Sequence, residues 1–227
     1  MKRRSLVLLS ILFLHAAASP ALAQTTLSLT GGLNRTAITA DPPGGAVWRS
    51  ESLTRMSVGL AATVPVSEHL GLQLGVAYSQ KGGRLSGLDG DILVTSEIAL
   101  DYFEFSLLAV PTFALSSWDR SSVRFFAGPT MASRIDCDFG ASAWLGTARV
   151  TTGGGCDAGW RDEVEAALDL GVVVGGGIAV GVTERAGVSV DLLYTLGLIP
   201  IGEGDSYWSG PKQRVLTLRT GVTLPVG

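Results

Sequence analysis

Cysteine and histidine are almost absent from this chain, with two of each among 227 residues. Cys137 and Cys156 without a neighbouring histidine offer too few ligands for a zinc site, so no metal or other cofactor is expected. Charge is scarce as well: 16% of residues are Asp, Glu, Lys or Arg, and the formal balance is −3. A chain without a basic surplus is a poor partner for nucleic acid. Beyond the N-terminal segment there is no run of eighteen uncharged apolar residues, which excludes a transmembrane helix. Hydrophobic residues nevertheless make up 46% of the chain, dispersed by alternation and not gathered in blocks.

What is present begins with Met1-Lys2-Arg3-Arg4, the apolar run Leu6 to Leu14, and the small-residue end Ala21-Leu22-Ala23. Basic start, short apolar core and A-x-A end describe a secretory signal peptide over residues 1–23. Cleavage leaves a single domain of 204 residues (227 minus 23) from Gln24 to Gly227, the 24–227 barrel domain described below. It carries 14 basic residues (17 minus Lys2, Arg3 and Arg4) against 20 acidic ones, a formal charge of −6. Export places Cys137 and Cys156 in an oxidising compartment, where a disulfide between them is expected and two free thiols are the alternative. Such a loop closure stabilises by roughly 3 kcal/mol in the chain-entropy account.

From Leu70 to Tyr78 the chain reads Leu-Gly-Leu-Gln-Leu-Gly-Val-Ala-Tyr, with large apolar residues on even positions and small or weakly polar ones on odd positions. Successive strand side chains point to opposite faces, so one face is broad and apolar while the other is too small and uncharged for water. Lipid on one side and a crowded lumen on the other account for both. Seven further segments share the pattern, about 26–38, 54–66, 98–113, 122–135, 167–182, 187–199 and 214–226. Leu170 to Val182, interrupted by five glycines, reads as strand and not helix, since each glycine weakens a helix by about 1 kcal/mol. Ile98 and Leu100 fall out of phase with Phe103 and Phe105, which suggests a bulge or a strand end beyond the bilayer.

Connections alternate between short (65–69, 116–121, 183–186) and long (42–52, 82–96, 136–165, 201–212). Eight strands so joined make an all-β fold, an antiparallel up-and-down transmembrane β-barrel with a filled lumen and both termini at the short-turn end. All five tryptophans fall in connections, either as an interfacial girdle or packing loops together.

Four phrases in order, Tyr78-Ser79-Gln80-Lys81-Gly82, Tyr102-Phe103-Glu104-Phe105 running into Leu107-Leu108, Phe126-Ala127-Gly128-Pro129 and Tyr194-Thr195-Leu196-Gly197-Leu198, resemble the PorT-type outer-membrane β-barrel family. The resemblance implies an eight-stranded barrel in the outer membrane of a diderm bacterium, without shared catalytic residues. The long connections then face outside the cell. Arg219, Gly221, Leu224 and Val226 follow the terminal pattern read by the barrel assembly machinery, with aliphatics in place of its aromatics, so that machinery and outer-membrane lipid are expected partners.

An eight-stranded barrel is just wide enough for side chains to fill it, so no solute channel is expected. Arg55, Gln73, Lys81, Glu104, Arg124, Asp169, Asp191 and Arg219 share the inward phase, where unpaired charge is costly. They are expected to form a paired polar network, with a proton or ion path as the alternative. His69, at a short turn, has no serine elbow or paired acid, so no catalytic residue is assigned. The glycine triplets 153–155 and 175–177 lack the context of a phosphate loop and are read as loop flexibility and close strand packing. The expected function is therefore a non-enzymatic outer-membrane barrel whose surface loops stabilise the envelope or bind an extracellular or periplasmic partner. Two alternatives are a small barrel enzyme acting on lipid and a soluble lipocalin-like barrel with its apolar face turned inward.

Overall fold

In the computed structural model, residues 24–39, 48–89, 92–115, 120–146, 148–155, 168–199 and 212–226 are described, and all structural statements refer to them. The strands are β1 (Thr25–Thr39), β2 (Trp48–Glu51), β3 (Leu53–Ser67), β4 (Leu70–Asp89), β5 (Ile92–Ala114), β6 (Ser121–Leu145), β7 (Ala148–Gly155), β8 (Leu168–Gly181), β9 (Gly187–Gly197) and β10 (Lys212–Val226). All but β2 and β7 close a ring of eight antiparallel neighbours, β1-β3-β4-β5-β6-β8-β9-β10, with β10 returning to β1 through pairs running from Thr25–Val226 to Thr39–Lys212.

The ring forms because the alternation demands it. Leu29, Leu60, Leu74, Phe105, Val190 and Leu218 all point outward and are among the exposed large apolar side chains. Asn34, Gln73, Lys81, Tyr102, Phe126 and Asp191 point inward and are buried. That polarity is the reverse of a lipocalin's, so the soluble-barrel alternative is excluded.

Two of the connections read as long loops are largely strand. β4 and β5 run on through 82–96 in unbroken register to Asp89 opposite Ile92, and β6 continues to Leu145 and pairs with β7. Trp144 therefore lies in a strand, as does Trp48, whereas Trp118, Trp160 and Trp208 lie outside the described residues. The physical reason is that these strand ends rise beyond the apolar belt. With no lipid to face, their alternation is broken by Gly83, Arg84, Ser86, Gly87, Thr95, Ser96 and Glu97. Leu100 keeps the inward phase of Tyr102 and is buried with it, so β5 runs without a phase break; the bulge lies on the facing strand, where Asp101 is opposite Asp136 and Tyr102 opposite Arg134, leaving Ile135 of β6 as the extra residue.

Above Ser79, β4 leaves β3 and leans toward β1. Asn34 donates its amide to the Gln80 carbonyl at 3.1 Å, and the Thr36 hydroxyl donates to the Gly82 carbonyl. Gly82 makes the bend: its φ of 146° suits only glycine, and a Cβ there would lie 2.1 Å from the Ile98 carbonyl oxygen.

Candidate functional site

Inside the ring, charge is arranged in two clusters. Near the short-turn end, one row of directly opposed residues runs Arg124, Gly177, Asp191, Arg219 across β6, β8, β9 and β10. Gly177 has no side chain, so Arg124 reaches over it. Arg124 donates from Nη2 to Asp191 Oδ1 at 2.8 Å and from Nε at 3.0 Å, and Arg219 Nε donates to Oδ2 at 3.0 Å. The Asp191 side chain is 0% exposed. A Cβ on Gly177 would stand 2.2 Å from Asp191 Oδ1, so the cluster requires glycine here. The Phe126 ring lies under both guanidiniums, 5.3 Å from Arg124 and 5.2 Å from Arg219, a pair of cation–π contacts.

Nearer the long-connection end, Glu104, Ala132 and Asp169 form the corresponding row across β5, β6 and β8. Lys81 reaches in from β4, paired with Glu104 and 3.7 Å from Asp169, and its ammonium lies 4.9 Å from the Tyr102 ring centroid. Between the clusters sits an apolar layer of Leu108, Val110, Phe126, Val173 and Leu193, and beyond the lysine cluster Leu100 and Tyr102 form another, packed with Ala132 of the row. A cavity of about 80 Å³ along the small side chains of β1, β3 and β4 reaches Glu104 and Arg219, with room for about five waters. Charged and apolar layers thus alternate along the lumen among the described residues.

Of the eight expected lumenal residues, the structure thus brings Arg124, Asp191 and Arg219 together in one cluster and Lys81, Glu104 and Asp169 in another. Gln73 stands apart, donating to the Thr63 hydroxyl at 2.9 Å. Arg55 departs from the expectation. It belongs to the barrel mouth, where it pairs with Glu97 at 2.9 Å, because β4 leans inward there and brings its partner strand β5 within reach. Arg84, also on Glu97 at 2.7 Å, and Glu51, 3.8 Å from Arg84, complete a cluster that sequence reading missed. Hydrogen bonding to Glu97 and its charge raise the Arg84 pKa above its ordinary value, with Glu51 adding to the effect. The signal was available: Gly90-Asp91, between the paired Asp89 and Ile92, is a glycine-led hairpin dipeptide.

These residues lie on a five-stranded extension, β2-β4-β5-β6-β7, standing on one side of the ring. Directly opposed residues share a face, giving one row Glu51, Arg84, Glu97, Gly140, Gly153 and the next Arg49, Ser86, Thr95, Ser142, Thr151. Beyond them Arg149 stacks on Trp144 at 4.9 Å. Of these, Arg84, Glu97, Thr95, Ser142, Thr151 and Arg149, together with Arg55 and Asp138, border a cleft of about 630 Å³, polar and carrying both signs of charge. It offers hydroxyls, guanidiniums and carboxylates for recognition. Among the described residues no group of three or more His, Cys, Asp or Glu is placed to hold a metal.

His69 is a turn residue whose ring meets Phe113 edge-on at 6.0 Å, and its carbonyl accepts from Thr112 N. Cys137 immediately precedes Asp138, which pairs with Gly155 at the foot of the β6–β7 hairpin. Cys156, like the leader 1–23, lies outside the described residues.

The model of the outer membrane protein beta-barrel domain family matches residues 22–203. No curated protein matches the chain. Among solved structures, it is similar to OprG from Pseudomonas aeruginosa (14% identity, TM-score 0.46, covering 90% of this chain and 98% of that one). It is also similar to Neisserial surface protein A (14%, 0.42, 88% and 97%). Outer membrane protein W of E. coli is a third neighbour (11%, 0.41, 92% and 100%).

Proposed function

Since the chain belongs to the outer membrane protein β-barrel domain family, and so is an outer-membrane barrel, we propose that it is a non-enzymatic surface scaffold that binds a partner or ligand on its five-stranded extension. The observation that carries this reading is the contrast between a lumen blocked by stacked layers and a polar cleft of about 630 Å³ on strands that rise beyond the apolar belt. A filled lumen leaves no route for solutes, and recognition then belongs to the parts presented to solvent.

Several finer points belong to the same reading. The leader is removed after Ala23, the long-connection end faces outside the cell, and β10 is the strand handled by the assembly machinery. The PorT-type resemblance fits the barrel, and its secretion role is not carried over. A disulfide between Cys137 and Cys156 ties the foot of the β6–β7 hairpin, one side of the cleft.

The test places a photo-crosslinking residue at Thr95, in the cleft, or at Leu74, in the apolar belt, in living cells. A discrete adduct from Thr95 that Leu74 does not give is expected. Identical patterns from both positions would remove the cleft as a binding site, and steady ion conductance of the purified barrel in a planar bilayer would remove the filled lumen. Loss of the gene that altered an acyl chain in total lipid extracts would favour a lipid-directed enzyme instead.

A further inference from the structure

The outward surface changes character abruptly at the seam where β1 meets β10. On β1 the outward positions read Leu27, Leu29, Gly31 and Leu33, then Arg35; on β10 they read Leu224, Val222, Thr220, Leu218 and Leu216, then Arg214. Arg35 is opposite Leu216, and Arg214 is opposite Ala37 on one side and Leu196 on the other. The two arginines are therefore diagonal neighbours on one face, about 7–8 Å apart at Cα. Both are exposed. Arg35 donates to the Ser52 hydroxyl at 3.1 Å, and neither arginine has a carboxylate within ion-pair distance among the described residues. The exposed hydroxyl of Thr54 lies directly opposite Arg35, and Lys212 follows two residues beyond Arg214.

Guanidiniums set immediately above lipid-facing leucines occupy the depth of lipid headgroups. Their planar donor forks match phosphate oxygens, and their long apolar stems lie against hydrocarbon. The opposite wall has the reverse charge at its outward limit. There Asp101 faces Asp136, and Tyr78 donates its hydroxyl to Asp101. An anionic headgroup is thus attracted to the β1–β10 seam and repelled by the β4–β6 wall.

We propose that Arg35 and Arg214, with Thr54 beside them, bind the phosphate of an outer-leaflet phosphoglycolipid whose acyl chains lie along Leu33, Met56, Leu216 and Leu218. This site rests on the outer-membrane placement and on the long-connection end facing outward, and it is separate from the cleft of the extension. The protein surface selects one lipid position around the ring, and that lipid covers the seam joining the first and last strands.

The test uses the full barrel folded in detergent, titrated with lipid A, a diphosphorylated acylated disaccharide, and read by native mass spectrometry. Wild type and Asp101→Asn should retain the lipid. Arg35→Gln with Arg214→Gln should bind it roughly thirty-fold more weakly, from about a fivefold share for each basic residue at a lipid surface. The same lipid stripped of phosphate should bind weakly to all three. Equal retention by the double variant, equal retention of the stripped lipid, or displacement by inorganic phosphate at low concentration overturns the proposal. Mobility on gels with and without boiling shows that each variant is folded. A barrel that fractionates away from the outer membrane defeats the placement itself, whereas a barrel that stays there without discriminating lipids defeats only this site.

Discussion

The two charged clusters of the lumen are mirror images in composition and differ in what they can tolerate. Around Asp191, one carboxylate is held between two guanidiniums; around Lys81, one ammonium is held between two carboxylates. Each has a small residue at the centre of its row, Gly177 in one and Ala132 in the other, which lets longer side chains meet above it. Each has a ring against its cation, Phe126 or Tyr102. The difference lies in titration. Carboxyl groups can take up a proton when their partner is lost, but a guanidinium does not release one in a protein. The arginine-rich cluster has no means of relief.

The comparison breaks most visibly at Asp191. Asp191→Ala strands two largely buried guanidiniums and is expected to cost about 3–5 kcal/mol, read from denaturant unfolding of the detergent-folded barrel. Its deficit should not change between neutral and mildly acidic pH. Lys81→Met should cost less, about 1–3 kcal/mol, because Glu104 and Asp169 can be neutralised. In that variant the folded state binds more protons than the unfolded one, so stability falls as pH rises and the deficit shrinks on acidification. Matching pH behaviour of the two variants would dissolve the distinction.

Gly177→Ala tests the packing half of the comparison. The new methyl meets Asp191 Oδ1 at 2.2 Å and the Val190 carbonyl at 2.6 Å, so about 1–3 kcal/mol should be lost in the same unfolding assay. Wild-type stability would show that the row does not need its gap. The smallest effect is expected at the mouth, where Glu97 and its arginines are about a third exposed or more. Glu97→Gln should change stability by about 1 kcal/mol or less, and a salt titration should erase most of that change.

How much of this was legible depended on whether lipid imposed a pattern. In β1, β3, β8, β9 and β10 the outward leucines and valines must meet hydrocarbon, so the period of two is plain and the strands read correctly. The upper halves of β4, β5 and β6 have no such duty, and Arg84, Thr95 and Ser142 read as loop although the ladder continues through them. The inward phase of Lys81, Glu104, Asp169, Arg124, Asp191 and Arg219 was also readable, because a charge in an apolar strand has only one tolerable side. Which charges pair was not. Asp191 and Arg124 are separated by 67 residues, and their meeting depends on strand order, register and the absence of a side chain at Gly177.

Alternation of apolar and small residues is enough for the class of this protein, because strands in lipid satisfy every backbone group only by closing into a barrel. It also determined which face of each strand carries charge. Strand order and register in three dimensions settle the rest: six of those charges divide into two clusters, Arg55 leaves them for Glu97 at the mouth, and Arg35 and Arg214 become neighbours across the closing seam. Alternation is a property of one strand, whereas partnership is set by how strands far apart in the chain are aligned.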